Sequence, residues 1–145
     1  MLKTQKATRG MVTAPHALAA QAGQRVLREG GNAIEAMIAV ASTLAVVYPH
    51  MTGIGGDGFW LTSRQGGIPA GVEAAGRSAG LATIDYYRER GIDTIPFRGP
   101  DAALTVAGTI SGWMRALETA RQWGGRMPLD RLLEDAVHYA RHGFP

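Results

Sequence analysis

Gly53, Gly55, Gly56 and Gly58 fall within six positions of the stretch Tyr48-Pro-His-Met-Thr-Gly-Ile-Gly-Gly-Asp-Gly-Phe-Trp-Leu61. Each glycine inside a helix or strand costs about 0.5–1 kcal/mol relative to alanine, so this segment reads as a loop. Glycines this dense imply a backbone that needs positive φ, or one that another group approaches closely. Two readings stay open. The loop's amides line a site for an anion or a developing negative charge, or the loop is a tight packing turn between a helix and a strand. The order of elements removes two phosphate-binding designs. A P-loop requires Gly-Lys-Ser or Gly-Lys-Thr, and a dinucleotide-binding turn requires a helix after the glycines. Here an apolar helical run precedes the loop and Phe59-Trp-Leu-Thr-Ser63, a strand pattern, follows it.

The rest of the chain is read outward from that loop. Gly10–Ala14 has the pattern of a short strand entering a Pro15-His16 turn, where proline is favoured because a helix start needs no amide partner, and the pattern is helical from Ala17. Leu18, Ala22, Val26 and Leu27 form one stripe of a helix that Gly30-Gly31 ends. Asn32 and Glu35 have capping-box spacing and open a helix that is apolar nearly all round, so it should be central and buried; Pro49 stops it. After the loop, Phe59–Ser63 and Ile68–Ala74 read as a hairpin joined through Gln65-Gly-Gly67. Thr83–Arg90 is a short helix closed by Gly91, residues 92–103 are a surface loop, and Leu104–Val106 is a brief strand. Gly108–Gly112 leads into a helix over Trp113–Trp123. A last helix spans Leu129–His142, with Leu132, Leu133, Ala136, Val137 and Ala140 as its apolar stripe.

Length and composition bound the remainder. The chain has 145 residues, 46% of them hydrophobic, enough for a sizeable core in a single domain. Its formal charge of +3 comes from scattered arginines with no aromatic interleaving, which argues against nucleic acid as a partner. With no cysteine there is no disulfide, thiolate metal site or Cys nucleophile in this chain. His138 and His142 have i,i+4 spacing, but the Glu of His-Glu-x-x-His is missing, so no metal or other cofactor is expected. The opening ten residues are polar and basic, with no apolar signal region following, and Ala36–Tyr48 is too short to span a membrane. A cytoplasmic protein without membrane partners is the expectation.

Five stretches, in order along the chain, resemble the gamma-glutamyltranspeptidase family. They are Met11-Val-Thr-Ala-Pro-His-Ala-Leu-Ala-Ala-Gln-Ala-Gly23, Gly30-Gly-Asn-Ala-Ile-Glu-Ala36, Val46-Val-Tyr-Pro-His-Met-Thr-Gly-Ile-Gly-Gly-Asp-Gly-Phe59, Val106-Ala-Gly-Thr-Ile-Ser-Gly112 and His142-Gly-Phe-Pro145. The resemblance implies an α/β (α+β) chain forming a helix-rich part of the α-β-β-α sandwich of N-terminal-nucleophile hydrolases. Residues 1–145 would be the N-terminal portion of the large subunit, an incomplete domain. It implies a precursor that cuts itself, with the nucleophilic Thr and the oxyanion donors beyond Pro145. This chain would then be inactive alone. Its partners would be the remainder of the precursor and a small-molecule amide substrate.

The family's carboxylate-binding Arg implies one site residue here. In an ungapped alignment on Glu73 that position falls on Ala75, and Arg77 lies two residues later. Arg77 is the candidate substrate-binding residue, because a guanidinium grips a carboxylate with two parallel hydrogen bonds. Its alternative role is an ion pair with Glu73 or Asp57, or plain exposure to solvent. The displaced Arg widens the substrate class from γ-glutamyl amides to other carboxylate-bearing amides, such as oxamate or glutaryl amides. Asp57 stands where the family loop often carries another glycine; it would meet a substrate amine or cap a local turn. His50 is expected to make a structural hydrogen bond in the loop, and His16 to start a helix. Thr52, Thr105 and Thr109 are internal and lack the free amine that the mechanism needs. From a different class of function, the chain would be a non-catalytic binding or scaffold fragment.

Overall fold

His16 accepts a hydrogen bond from the Leu18 amide and so caps α1 (Ala17–Arg28). The helix therefore begins at Ala17, where the helical pattern read from sequence begins, and Pro15 sits in the turn ahead of it. In this computed structural model, residues 4–102 and 105–145 are described. At the other end of α1, Gly30 takes φ +92°, with Gly30 N–H bonded to Leu27 O and Gly31 N–H to Val26 O. That paired arrangement satisfies the last carbonyls of the helix. Residues 10–14 alternate between exposed and half-buried as a strand would, but form no strand. Among the described residues no strand pairs with them; Val12 and Ala14 instead pack against a helical core containing Ala19, Val40 and Val47.

The capping box predicted at Asn32 and Glu35 opens α2 (Ala33–Val47). This helix is the buried centre of its neighbourhood, with Ile38, Ala39 and Val40 lost from solvent. It packs on α1 and on α5 (Leu129–His142). Small residues let α1 and α2 approach closely. A Cβ at Gly23 on α1 would lie 2.6 Å from Val40 Cγ2 and 3.0 Å from the Ala36 carbonyl oxygen on α2. Glu35 is only 1% exposed, yet both of its oxygens are used. Oε2 accepts from its own cap residue Asn32 (2.7 Å), and Oε1 accepts from the Met127 amide (2.8 Å), far away in the sequence. The buried charge is thereby matched by two backbone donors. Thr43, fully buried on the same helix, has a hydroxyl with no hydrogen-bond partner among the described residues.

α4 (Thr109–Gln122) begins four residues before the Trp113 start read from sequence. Gly124 (φ +86°) ends it as Gly30 ends α1, with Gly125 N–H on Ala120 O. α5 follows. Its buried face is Leu132, Asp135 and Ala136, while Val137 and Ala140 are exposed. The apolar stripe is rotated from the sequence expectation because Asp135 turns inward to pair with Arg25 of α1. Arg131 of α5 makes a two-pronged pair with Glu29, the α1 cap residue.

Two compact units divide the chain. One comprises the described residues up to Ile54 with Trp113–Pro145, and the other lies within Gly55–Gly112. The second unit carries an antiparallel hairpin, β1 (Gly58–Thr62) and β2 (Ala70–Ala74), in the register Gly58↔Ala74 and Trp60↔Val72. β2 starts two residues later than read from sequence; Pro69 has no amide to offer a ladder. Thr83 caps α3 (Ile84–Arg88), and Gly91 at φ +67° closes it. Of the brief strand expected at Leu104–Val106, Leu104 lies outside the described residues, and Thr105 forms an isolated bridge with Ser78.

Candidate functional site

The carbonyl of Gly56 is the anchor of the glycine-rich loop. It accepts from the amides of Gly108 and Thr109, both at 3.0 Å, and from Thr109 Oγ1 at 2.8 Å. Thr109 Oγ1 also lies 3.0 Å from Asp57 O. These bonds place the first residue of α4 on the loop and explain the early start of that helix. The Thr109 amide, which has no partner within the helix, is satisfied together with that of Gly108 by a carbonyl distant in sequence.

Gly76, Gly108 and Gly112 are required by packing. A Cβ at Gly76 would be driven into the Val106 carbonyl, one at Gly108 into the Ala74 carbonyl, and one at Gly112 would sit 2.7 Å from Ala74 Cβ. The loop glycines behave differently. Gly53, Gly55 and Gly56 do not have positive φ, and a Cβ on any of them would meet nothing within 4 Å. Neither reason for glycine given by sequence reasoning applies to them within this chain. Their amides have no hydrogen-bond partner among the described residues. The packing-turn reading thus describes Gly76, Gly108 and Gly112, while the loop itself presents amides without partners among the described residues.

Asp57 is not a local turn cap. Its Oδ1 accepts from Thr105 Oγ1 at 3.1 Å, across 48 positions of sequence. Thr105 bridges to Ser78, and the next residue, Val106, donates its amide to the Arg77 carbonyl at 3.0 Å. The loop, the Gly76–Ser78 segment and Thr105–Val106 are therefore one hydrogen-bonded framework within the second unit. Arg77 is exposed, and among the described residues its guanidinium makes no ion pair with Glu73, Asp57 or any other acid. Of its alternative sequence readings, the ion pair is absent and the solvent-facing side chain is what is seen.

The other candidates fall away from this framework. His50 makes no hydrogen bond among the described residues and packs its ring on Tyr48, with centroids 4.3 Å apart. His16 starts a helix, as expected. His138 and His142 do share a face, with ring centroids 5.0 Å apart. Among the described residues no three His, Asp or Glu side chains cluster to hold a metal. Sequence reasoning considered Thr105 and Thr109 only as nucleophiles and missed that they hold the loop at Asp57 and Gly56. A Thr directly ahead of a helical pattern is a cap signal, but what Thr109 binds is set by tertiary structure.

The family model described as Gamma-glutamyltranspeptidase matches residues 19–145. The chain belongs to the gamma-glutamyltranspeptidase family. Among relatives of this family, it is 53% identical to the oxamate amidohydrolase proenzyme of Klebsiella pneumoniae, over 100% of this chain and 27% of that protein. It is 47% identical to the glutathione hydrolase-like YwrD proenzyme of Bacillus subtilis, with the same two coverages. The solved gamma-glutamyltranspeptidase from Pseudomonas nitroreducens superimposes with a TM-score of 0.76 at 34% identity, over 93% of this chain and 39% of that one. The chain thus spans about a quarter of the length of these two relatives. Its mixed helices and antiparallel hairpin belong to the α/β fold of the N-terminal-nucleophile gamma-glutamyltranspeptidases. No helix among the described residues is long and apolar enough to cross a membrane.

Proposed function

We propose that residues 1–145 are the N-terminal portion of the large subunit of a self-processing amidohydrolase acting on a carboxylate-bearing amide. The supporting observation is the 53% identity to an oxamate amidohydrolase proenzyme along the whole of this chain. The nucleophile would be a Thr freed by self-cleavage in a part of the precursor outside this chain. Its own α-amine serves as general base for the hydroxyl. The hydroxyl oxygen attacks the amide carbonyl, backbone donors hold the oxyanion, the C–N bond breaks, and the amine leaves with the proton. Water or another amine then takes the acyl group. This chain contributes the Arg77 guanidinium, which pairs with no acid among the described residues and can take the substrate carboxylate. Oxamate, glutaryl amides and γ-glutamyl amides are the substrates to compare.

The test is to express the full reading frame and take an intact mass spectrum, then assay amine release from the three amides. Two polypeptides, one beginning with Thr, together with turnover of at least one amide, are expected. Arg77→Ala should raise KM about tenfold or more, the size expected from losing a charge-assisted hydrogen bond. A single uncleaved polypeptide with no turnover would leave a scaffold fragment instead.

A further inference from the structure

The second unit holds two opposite charges on one framework without letting them neutralise each other. Arg77 and Asp57 are both exposed and both lack an ion-pair partner among the described residues; Thr105 holds the Asp57 carboxylate, and the Val106 amide holds the backbone carbonyl of Arg77. Asp57 is further constrained, since its backbone carbonyl is bonded to Thr109 and one carboxylate oxygen to Thr105. The second oxygen accepts no hydrogen bond among the described residues. Beside it, the Gly55 and Gly56 amides have no hydrogen-bond partner among the described residues, and a Cβ on either glycine would meet nothing within 4 Å. A charge anchored this way, next to uncovered backbone, is placed to meet something.

We propose that Asp57 is a specificity residue that distinguishes the amide substrate from its own hydrolysis product. The inference rests on the assignment of Arg77 to the substrate carboxylate. Hydrolysis adds water across the C–N bond. The amine leaves, and the acyl carbon becomes a carboxylic acid that loses its proton at neutral pH. A carboxylate-bearing amide therefore enters as a monoanion and its acid product departs as a dianion. With one carboxylate on Arg77, Asp57 can accept a hydrogen bond from a carboxamide N–H but repels a second carboxylate. The same charge that favours the substrate weakens the product. Thr105 acts as a positioning residue, holding that carboxylate toward the ligand.

The experiment uses the purified product of the full reading frame and two ligand pairs of different length, oxamate with oxalate and glutaramate with glutarate. Amides that turn over are measured by KM and their acids by inhibition constant; ligands that do not turn over are measured by calorimetry. Asp57→Asn keeps an acceptor for Thr105 and removes only the charge. In at least one pair it should tighten the dicarboxylate about tenfold at low ionic strength without tightening the amide, and the difference should shrink in high salt. Thr105→Ala should weaken discrimination in that pair, and Thr105→Ser should restore it. Dicarboxylate affinity unchanged by Asp57→Asn in both pairs, equal tightening of amide and acid, or no binding of any of the four ligands would overturn the proposal. Arg77→Ala separates the two readings. If it weakens every ligand while Asp57→Asn changes nothing, the carboxylate site stands and only the role of Asp57 fails.

Discussion

Glu35 shows how much one side chain can hold together. It closes the first turn of α2 and reaches the Met127 amide ahead of α5. Glu35→Ala would strand two backbone donors, so a loss of about 2–4 kcal/mol is expected, read as a shift in urea midpoint with an unchanged slope. The cap was legible because both partners lie within four residues; the Met127 bond was not, since nothing local marks it. The same division holds at Asp57, whose partner Thr105 no spacing rule could identify, and at Arg77, whose exposure was one of the readings left open. Glu29 yields a pH dependence. The hydrogen bond from Arg131 holds its carboxyl below the ordinary glutamate range, against a smaller opposing effect of burial. A depressed folded value stabilises above the ordinary carboxylate range, and that stabilisation disappears as pH falls through the lower folded value. The pair is substantially exposed, so it is worth at most about 1 kcal/mol. Glu29→Gln should cost that small amount at neutral pH, and the difference from wild type should vanish in acid.

Packing decides the helices where propensity would mislead. Alanine is about 1 kcal/mol better than glycine inside a helix, so Gly23→Ala in α1 looks favourable locally. Its Cβ would nevertheless press on Val40 and on the Ala36 carbonyl of α2, and backbone cannot step aside cheaply. A net loss of about 1–2 kcal/mol is expected by thermal denaturation; stabilisation would show that the helices separate at little cost. The central burial of α2 was legible from its apolar composition. The inward turn of Asp135 in α5 and the early start of α4 were not, because each answers a partner on another element: Arg25 in one case, Gly56 in the other.

Across the molecule, large apolar side chains remain in water. Leu61 is 82% exposed and Ile68 94%, and Phe59 and Phe97 are also exposed. Produced alone, the 145-residue chain is expected to self-associate, seen as rising light scatter and dye binding with concentration; Phe59→Glu with Leu61→Lys should reduce both. A chain that stays monomeric at high concentration would contradict this. The interrupted first unit has a consequence in time. α2 packs against α5, yet the whole of Gly55–Gly112 is synthesised between them. At about 5–20 residues per second, the ribosome leaves the most apolar helix of this chain without that neighbour for on the order of seconds. During that interval α1 is its available cover, and the nascent chain is at its most attractive to chaperones.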